Sequence, residues 1–198
     1  MMGINDHANP RDHVYADAAL DLKEIVMGLH WDPPQEGGSA NPANLDALCV
    51  LYDGQRRALE IIHPGRPRNA NGSVIHTGDA RTGASEWDDE RIFVFLEALP
   101  AAVSTIAFVV ASATGRAFSG IRGASCHISD RVSEREWIRL DLTALGQCTA
   151  HCVATVHRSP TGWKISSDAH AGCGGFFSEP ELLSLVASVR GRDAGLLS

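Results

Sequence analysis

The sequence predicts an all-β fold, a sandwich or a barrel, followed by one short C-terminal helix. Three observations carry this expectation. Short apolar or alternating segments recur along the 198 residues, at Leu22–Trp31, Leu45–Tyr52, Ala58–His63, Arg91–Leu96, Thr105–Ala111, Ile121–Ile128, Trp137–Leu142, Cys148–His157 and Trp163–Ile165. Turn formers separate several of them, most plainly Asp53-Gly54 and Ser159-Pro160-Thr161-Gly162, and that spacing is the mark of sandwiches and barrels. Only one segment carries helix signals at both of its ends.

Taken in order, residues 1–20 are polar and predict a flexible N-terminal arm ahead of a single domain spanning 21–198. Leu22–Trp31 reads as the first strand. Asp32–Asn44 holds Pro33-Pro34, Gly37-Gly38 and Pro42, and is a loop by composition. Leu45–Tyr52 is an apolar run with one acid, Asp46. Asp53-Gly54 turns the chain into Ala58–His63. Pro64–Asp89 is dense in Gly, Asn, Pro, Ser and acids, and an irregular stretch of that length in a compact domain is usually functional.

Arg91–Leu96 is a strand with two aromatics. Ala98–Gly115 carries no charge over 18 residues, near the lower limit for a membrane helix. It is interrupted by Pro100, Ser104, Thr105, Ser112 and Thr114, and its strongly apolar part, Ile106–Val110, has the length of a buried strand. No membrane span is expected. Cys148–His157 is β-branched at Thr149, Val153 and Thr155. Ser178 as a cap, Pro180 in the first turn, acids at the front and Arg190-Gly191 at the end predict a helix over about residues 178–190.

Lys+Arg is 17 against Asp+Glu 24, a formal net charge of −7. Nucleic-acid binding runs on cationic contacts to phosphate, so no nucleic-acid partner is expected. The N-terminus shows no basic stretch followed by an apolar one, which predicts a cytoplasmic protein with free thiols. The five cysteines, Cys49, Cys126, Cys148, Cys152 and Cys173, form no C-x-x-C pair. Cys148, His151 and Cys152 would share a helix face. On the expected strand His151 points away from the two cysteines, and small buried cysteines are the better reading. Gly172-Cys173-Gly174-Gly175 lacks the lysine of a phosphate-binding loop and reads as a link to the helix. Ser125 and His127 share a strand face, but nothing else suggests a nucleophile and its base. Trp31, Trp137 and Trp163 are expected in the core or at strand edges.

The densest chemistry lies in Asp79–Glu90, where five acids and one arginine give −4, more than half the net charge of the chain. Hard divalent cations take six to eight oxygens, and a Gly-bearing loop can supply carboxylates and carbonyls together. Asp79 and Glu90 are eleven apart, like the end ligands of an EF-hand loop. Arg81 and Gly83 at the third and fifth positions, and flanks without helical character, exclude that motif.

His76-Thr77-Gly78-Asp79-Ala80-Arg81-Thr82-Gly83 followed by Asp88-Asp89-Glu90-Arg91-Ile92 resembles the signature of the TerD-domain family, bacterial tellurite-resistance and stress-response proteins whose loop reads H-T-G-D-N-x-T-G and then D-D-E-x-I. Gly28-Leu29-His30-Trp31-Asp32, Asn44-Leu45-Asp46-Ala47, Gly72-Ser73-Val74, Leu99-Pro100, Phe118-Ser119-Gly120-Ile121-Arg122, Asp141-Leu142 and Gly162-Trp163-Lys164 are similar to further family stretches, in the same order. The resemblance covers about Leu22–Asp168. It implies a β-sandwich of two mainly antiparallel sheets, a bound Ca2+ and no enzymatic activity.

The metal ligands it implies are Asp46, Asp79, Asp88, Asp89 and Glu90, with Asn44 beside them and backbone carbonyls near Thr82 and Gly83. The implied function is stress response or tellurite resistance, with an ordered loop read by protein partners of that system, membrane-associated ones included. The chain departs from the family pattern at Asn44 for an acid, Ala80 for Asn, Glu86-Trp87 for small residues and His30 for Gly. These changes predict weakened metal binding. The alternative they open is an adaptor module of the same fold with a degenerate metal site.

Overall fold

The structure, a computed structural model, describes residues 22–34, 42–167 and 178–194. The arm expected over 1–20 and the Gly172-Cys173-Gly174-Gly175 link lie outside the described residues. Among those described are ten strands and one α-helix: β1 Glu24–His30, β2 Leu45–Tyr52, β3 Ala58–Ile62, β4 Val74–His76, β5 Glu90–Phe95, β6 Thr105–Ser112, β7 Ser125–Asp130, β8 Glu136–Asp141, β9 Ala150–Ser159, β10 Gly162–Ser166 and α1 Glu179–Ala194. They form two five-stranded antiparallel sheets, ordered β4-β5-β1-β7-β8 and β10-β9-β6-β2-β3. The expected all-β sandwich of two antiparallel sheets with a C-terminal helix is what the chain adopts.

The two sheets read differently because they are covered differently. In the first sheet the side chains alternate. Ile25, Met27 and Leu29 of β1 and Ile92 and Val94 of β5 enter the core between the sheets, while Val26, Gly28, His30, Arg91 and Phe93 face outward. In the second sheet β6 is buried throughout. Ile106, Phe108 and Val110 pack toward the first sheet. Ala107, Val109 and Ala111 pack with Leu48 and Val50 against Leu182, Val186 and Val189 of α1. The spacing 182, 186, 189 is one stripe of a helix, so α1 forms a third layer. Its start is capped as expected, since Glu181 Oε2 accepts hydrogen bonds from Ser178 N at 2.7 Å and Ser178 Oγ at 2.8 Å. No helix among the described residues is long and apolar enough to cross a membrane, and the uncharged 98–115 stretch contributes β6.

Several boundaries move, each for a local reason. The irregular stretch from Pro64 contains β4, a three-residue strand pinned where Asn69 Oδ1 accepts from Val74 N at 2.9 Å. β7 begins at Ser125 rather than Ile121, because Phe118–Gly120 form a 3-10 turn and Gly123 takes φ +64 against the Asp32 carboxylate. In the β2–β3 turn the left-handed residue is Arg56, with φ 60, rather than Gly54. Asp53 organises that turn by accepting from Gln55 N and Arg57 N at 2.8 and 2.9 Å. α1 continues to Ala194. Trp31, Trp137 and Trp163 are buried, as expected.

The cysteines depart most from expectation. β9 starts at Ala150, so Cys148 lies ahead of it and is exposed. Cys152 is buried beneath α1 and disulfide-bonded rather than a free thiol. Cys49 and Cys126 are free and buried, and burial pushes the Cys126 thiol up to about 12 and raises that of Cys49 as well. Neither offers a thiolate at neutral pH.

Phe108 is fully buried between the layers, so Phe108→Ala should destabilise the protein by about 3–5 kcal/mol. Val132 is 76% exposed, and Val132→Ala should stay within about 0.5 kcal/mol of the parent. Urea unfolding curves of the two variants check both expectations.

Candidate metal centre

Glu90 is the first residue of β5 and lies fully buried between the sheets. Its Oε2 accepts from Ala47 N of β2 at 2.8 Å and its Oε1 from Ala80 N of the acidic loop at 3.2 Å. Those two amides belong to the residues that immediately follow Asp46 and Asp79. Anchoring them on Glu90 draws the three carboxylates together, and one oxygen each of Asp46, Asp79 and Glu90 lies within 4.8 Å of the others. His76 of β4 stands beside them, with Nε2 3.2 Å from Glu90 Oε2 but out of line for a hydrogen bond. Its Nδ1 accepts from Gly78 N at 2.9 Å.

Two further features shape this cluster. Asn44, two residues before Asp46, has a buried Oδ1 with no hydrogen-bond partner among the described residues. Arg81, 80% exposed, reaches back so that its Nε donates to Asp79 Oδ2 at 2.8 Å. The guanidinium is therefore a counter-ion already seated on one of the three acids.

Asp88 and Asp89 are not in the cluster of close oxygens. Asp89 holds the loop to the end of β1: its Oδ2 accepts from Trp31 N at 3.0 Å and its Oδ1 from Ser85 N at 3.1 Å. His30 Nδ1 lies 3.0 Å from the same Oδ2 and 2.8 Å from the Trp87 carbonyl. Asp88 turns to the outer face of the first sheet, where Arg91 Nε donates to it at 2.8 Å and His127 Nε2 lies 3.2 Å away. Gly28 makes this possible, since a Cβ there would collide with His127 Nε2 and come within 2.6 Å of the Asp88 carboxylate. Burial alone would raise the Asp88 pKa. Its hydrogen bonds and charge pairing with His127 and Arg91 outweigh burial and hold it below the usual carboxylate range. Thr82 is exposed, and Gly83, at φ +59, packs so tightly on the Trp31 ring that no side chain fits there.

Sequence reasoning missed the histidines. Asp88, Asp89 and Glu90 are consecutive, and each meets a histidine from a different strand: His127 of β7, His30 at the end of β1 and His76 of β4. His30, which stands where the family has Gly, is the one that reaches Asp89. The sequence singles out all three, His76 opening the family signature, His30 departing from it and His127 standing beside Ser125, but nothing in it pairs each with an acid. The Nδ1 of His127 is buried without a partner among the described residues, so no Ser125–His127 hydrogen bond forms.

The fold and this centre define a two-sheet sandwich carrying a carboxylate cluster that could hold a metal ion. Residues 15–176 match the TerD domain, and the chain belongs to that family. It is 33% identical over 157 residues to tellurium resistance protein TerZ of Serratia marcescens, covering 76% of this chain and 81% of that protein. It is 32% identical over 154 residues to general stress protein 16U of Bacillus subtilis, covering 74% and 79%. A crystal structure of a homologue of telluride resistance protein from Streptomyces coelicolor superposes with a TM-score of 0.66 at 20% identity, covering 74% of this chain and 88% of that one. These relatives are named for resistance and stress, and none of the three names denotes an enzyme.

A carboxylate whose folded pKa is depressed adds stability that is present above its unfolded value and lost as pH falls through the folded one. The melting difference between the parent and Asp88→Asn should therefore be present above about pH 4 and shrink once pH falls below about 3.9, the ordinary aspartate value. Thermal melts recorded from neutral to acidic pH check this.

Proposed function

We propose that this chain is a non-enzymatic, calcium-binding stress-response protein acting in the cytoplasm, in which the Asp79–Glu90 loop, ordered around the cation, presents a surface to protein partners. The observation that carries this reading is the convergence of Asp46, Asp79 and Glu90, distant in sequence, to within 4.8 Å. Oxygens bound to one Ca2+ at about 2.3–2.6 Å lie no more than about 5 Å apart, so the set fits such an ion. Two carboxylates at that separation repel by about 3 kcal/mol at an effective dielectric of about 20. Bound cation would remove this repulsion. Asp46, Asp79 and Glu90 would hold it, with the orphaned Asn44 Oδ1 and carbonyls of Thr82 and Gly83 as further oxygens. Asp88 and Asp89 instead anchor the loop against His127, His30 and Trp31.

The second reading, an adaptor with a degenerate metal site, is favoured by the Arg81–Asp79 pair, because the guanidinium competes for a ligand oxygen. The two readings separate in one experiment. Calcium at a hundredfold excess over its dissociation constant should stabilise the fold by about 2.7 kcal/mol, a melting shift of several degrees at this size. Asp79→Ala should abolish the shift, Arg81→Ala should bring it on at lower calcium, and Asp53→Ala, in the β2–β3 turn, should leave it intact. Magnesium should act more weakly, since it prefers rigid octahedral sites. Trp87, inside the loop, should change emission along the same titration. If millimolar calcium moves neither signal, the adaptor reading replaces the calcium one.

A further inference from the structure

The outer face of the first sheet holds a groove of about 550 Å³. It follows β7 from Ser125 to Asp130, six residues or about 17 Å at the usual strand rise. Register places Asp130 beside Ile25 at one end and Ser125 beside His30 at the other. The acidic loop, with Glu86 and Trp87, walls the His30 end. The β7–β8 turn, with Arg131 and Glu134, walls the opposite end. Val26 and Phe93, cross-strand partners, make an apolar floor. Between that floor and His30, the Asp88 carboxylate and His127 Nε2 fill the space above Gly28. No element among the described residues lies over this face, whereas α1 covers the outer face of the second sheet.

The charges in the groove are unevenly satisfied. Arg91 is bonded to Asp88, Arg139 to Glu136 through two nitrogens, and Arg131 to Glu24 at 3.1 Å while stacking on Phe95 at 5.7 Å. The arginines are thus committed. The side-chain carboxylates of Glu86 at one end and Glu134 at the other have no ion pair or hydrogen bond among the described residues. Glu134 is held outward from a left-handed backbone with φ 58. Beside Glu86 stands Trp87, 75% exposed, and an exposed indole next to an unpaired carboxylate attracts cations through both its π face and its neighbour.

We propose that this groove binds an extended basic segment of a partner protein, with a basic residue near each end of about six residues and an apolar residue between. Glu86 and Glu134 line opposite ends of the groove, Trp87 takes the first cationic head, and the Val26–Phe93 floor takes the apolar side chain. A second copy of this chain is a poor occupant, since each copy carries −7 and like charge opposes its approach. The proposal rests on the reading of the chain as a partner-binding protein, but not on calcium, because Asp89 holds the Glu86–Trp87 part of the loop through the Trp31 and Ser85 amides.

The test uses the full chain in EDTA and a fluorescein-labelled hexapeptide with arginine at both ends and leucine at the third and fourth positions, followed by fluorescence anisotropy. A second hexapeptide carries glutamate at both ends. The arginine peptide should bind and the glutamate peptide should not. Raising salt from about 50 to about 300 mM should weaken binding, as screening requires. Trp87→Ala, and separately Glu86→Gln with Glu134→Gln, should each weaken it by about fivefold, the scale of an exposed cation–π contact, at unchanged melting temperature. Equal binding of both peptides, binding insensitive to both variants, or no binding at millimolar peptide would overturn the proposal. Each of these outcomes is independent of whether calcium shifts the melting curve.

Discussion

Glu90 is a carboxylate with no access to water, and burying such a group is unfavourable by several kcal/mol unless it is well bonded. It is bonded here to one amide from the opposite sheet and one from the acidic loop. That arrangement staples β5 to β2 across the sandwich and clamps both ends of the loop to a single side chain. Asp46 and Asp79 are then brought to it by their peptide neighbours, not by any attraction of their own. The same clamp leaves the middle of the loop to be settled by Gly83 on Trp31 and by Asp89 on the Trp31 amide. The carboxylate cluster is in this sense a by-product of how the sandwich is closed at one end. A carboxamide at position 90 would keep an acceptor but turn a donor toward one of the two amides.

Much of the architecture was legible because the burial of each sheet leaves its own imprint. β5 alternates between buried and half-buried residues, as a strand with one covered face does, whereas β1 reads as a nearly continuous apolar run around Gly28. β2, apart from Asp46, and β6 read as long apolar runs because α1 covers the face that would otherwise be wet. What escaped notice lacked such an imprint. β4 is three residues long and exists because Asn69 and its neighbours fold back on it, a side-chain network that no periodicity announces. Cys148 reads as part of a strand from the β-branched residues that follow it, yet the preceding 3-10 turn over Leu142–Leu145 delays the strand to Ala150.

The candidate centre was legible in composition and in the family resemblance, and much less so in geometry. Asp88, Asp89 and Glu90 look like one ligand set because they are adjacent. Adjacent side chains entering a strand diverge, and these three go to the outer face, the loop base and the core. The positions that receive them are set by register between strands far apart in sequence. His127 lies opposite Gly28, and the absence of a side chain at Gly28 decides where Asp88 can lie. No local pattern encodes that relation, although glycine inside an otherwise apolar strand is the kind of residue that marks a close approach.

The three-layer arrangement also distributes mobility. The second sheet is sealed on one side by the first sheet and on the other by α1, so β2, β6 and β9 lose the most on exposure and should keep their amide protons longest. Among the described residues the first sheet is covered on one face only, and its edge strand β4 is three residues long. The loop, its three histidines and the open groove all hang on this thinner layer. Adjustments there can occur as partial openings that leave the middle of the molecule intact, so the interacting side of the protein is free to reshape at a fraction of the free energy of unfolding the whole.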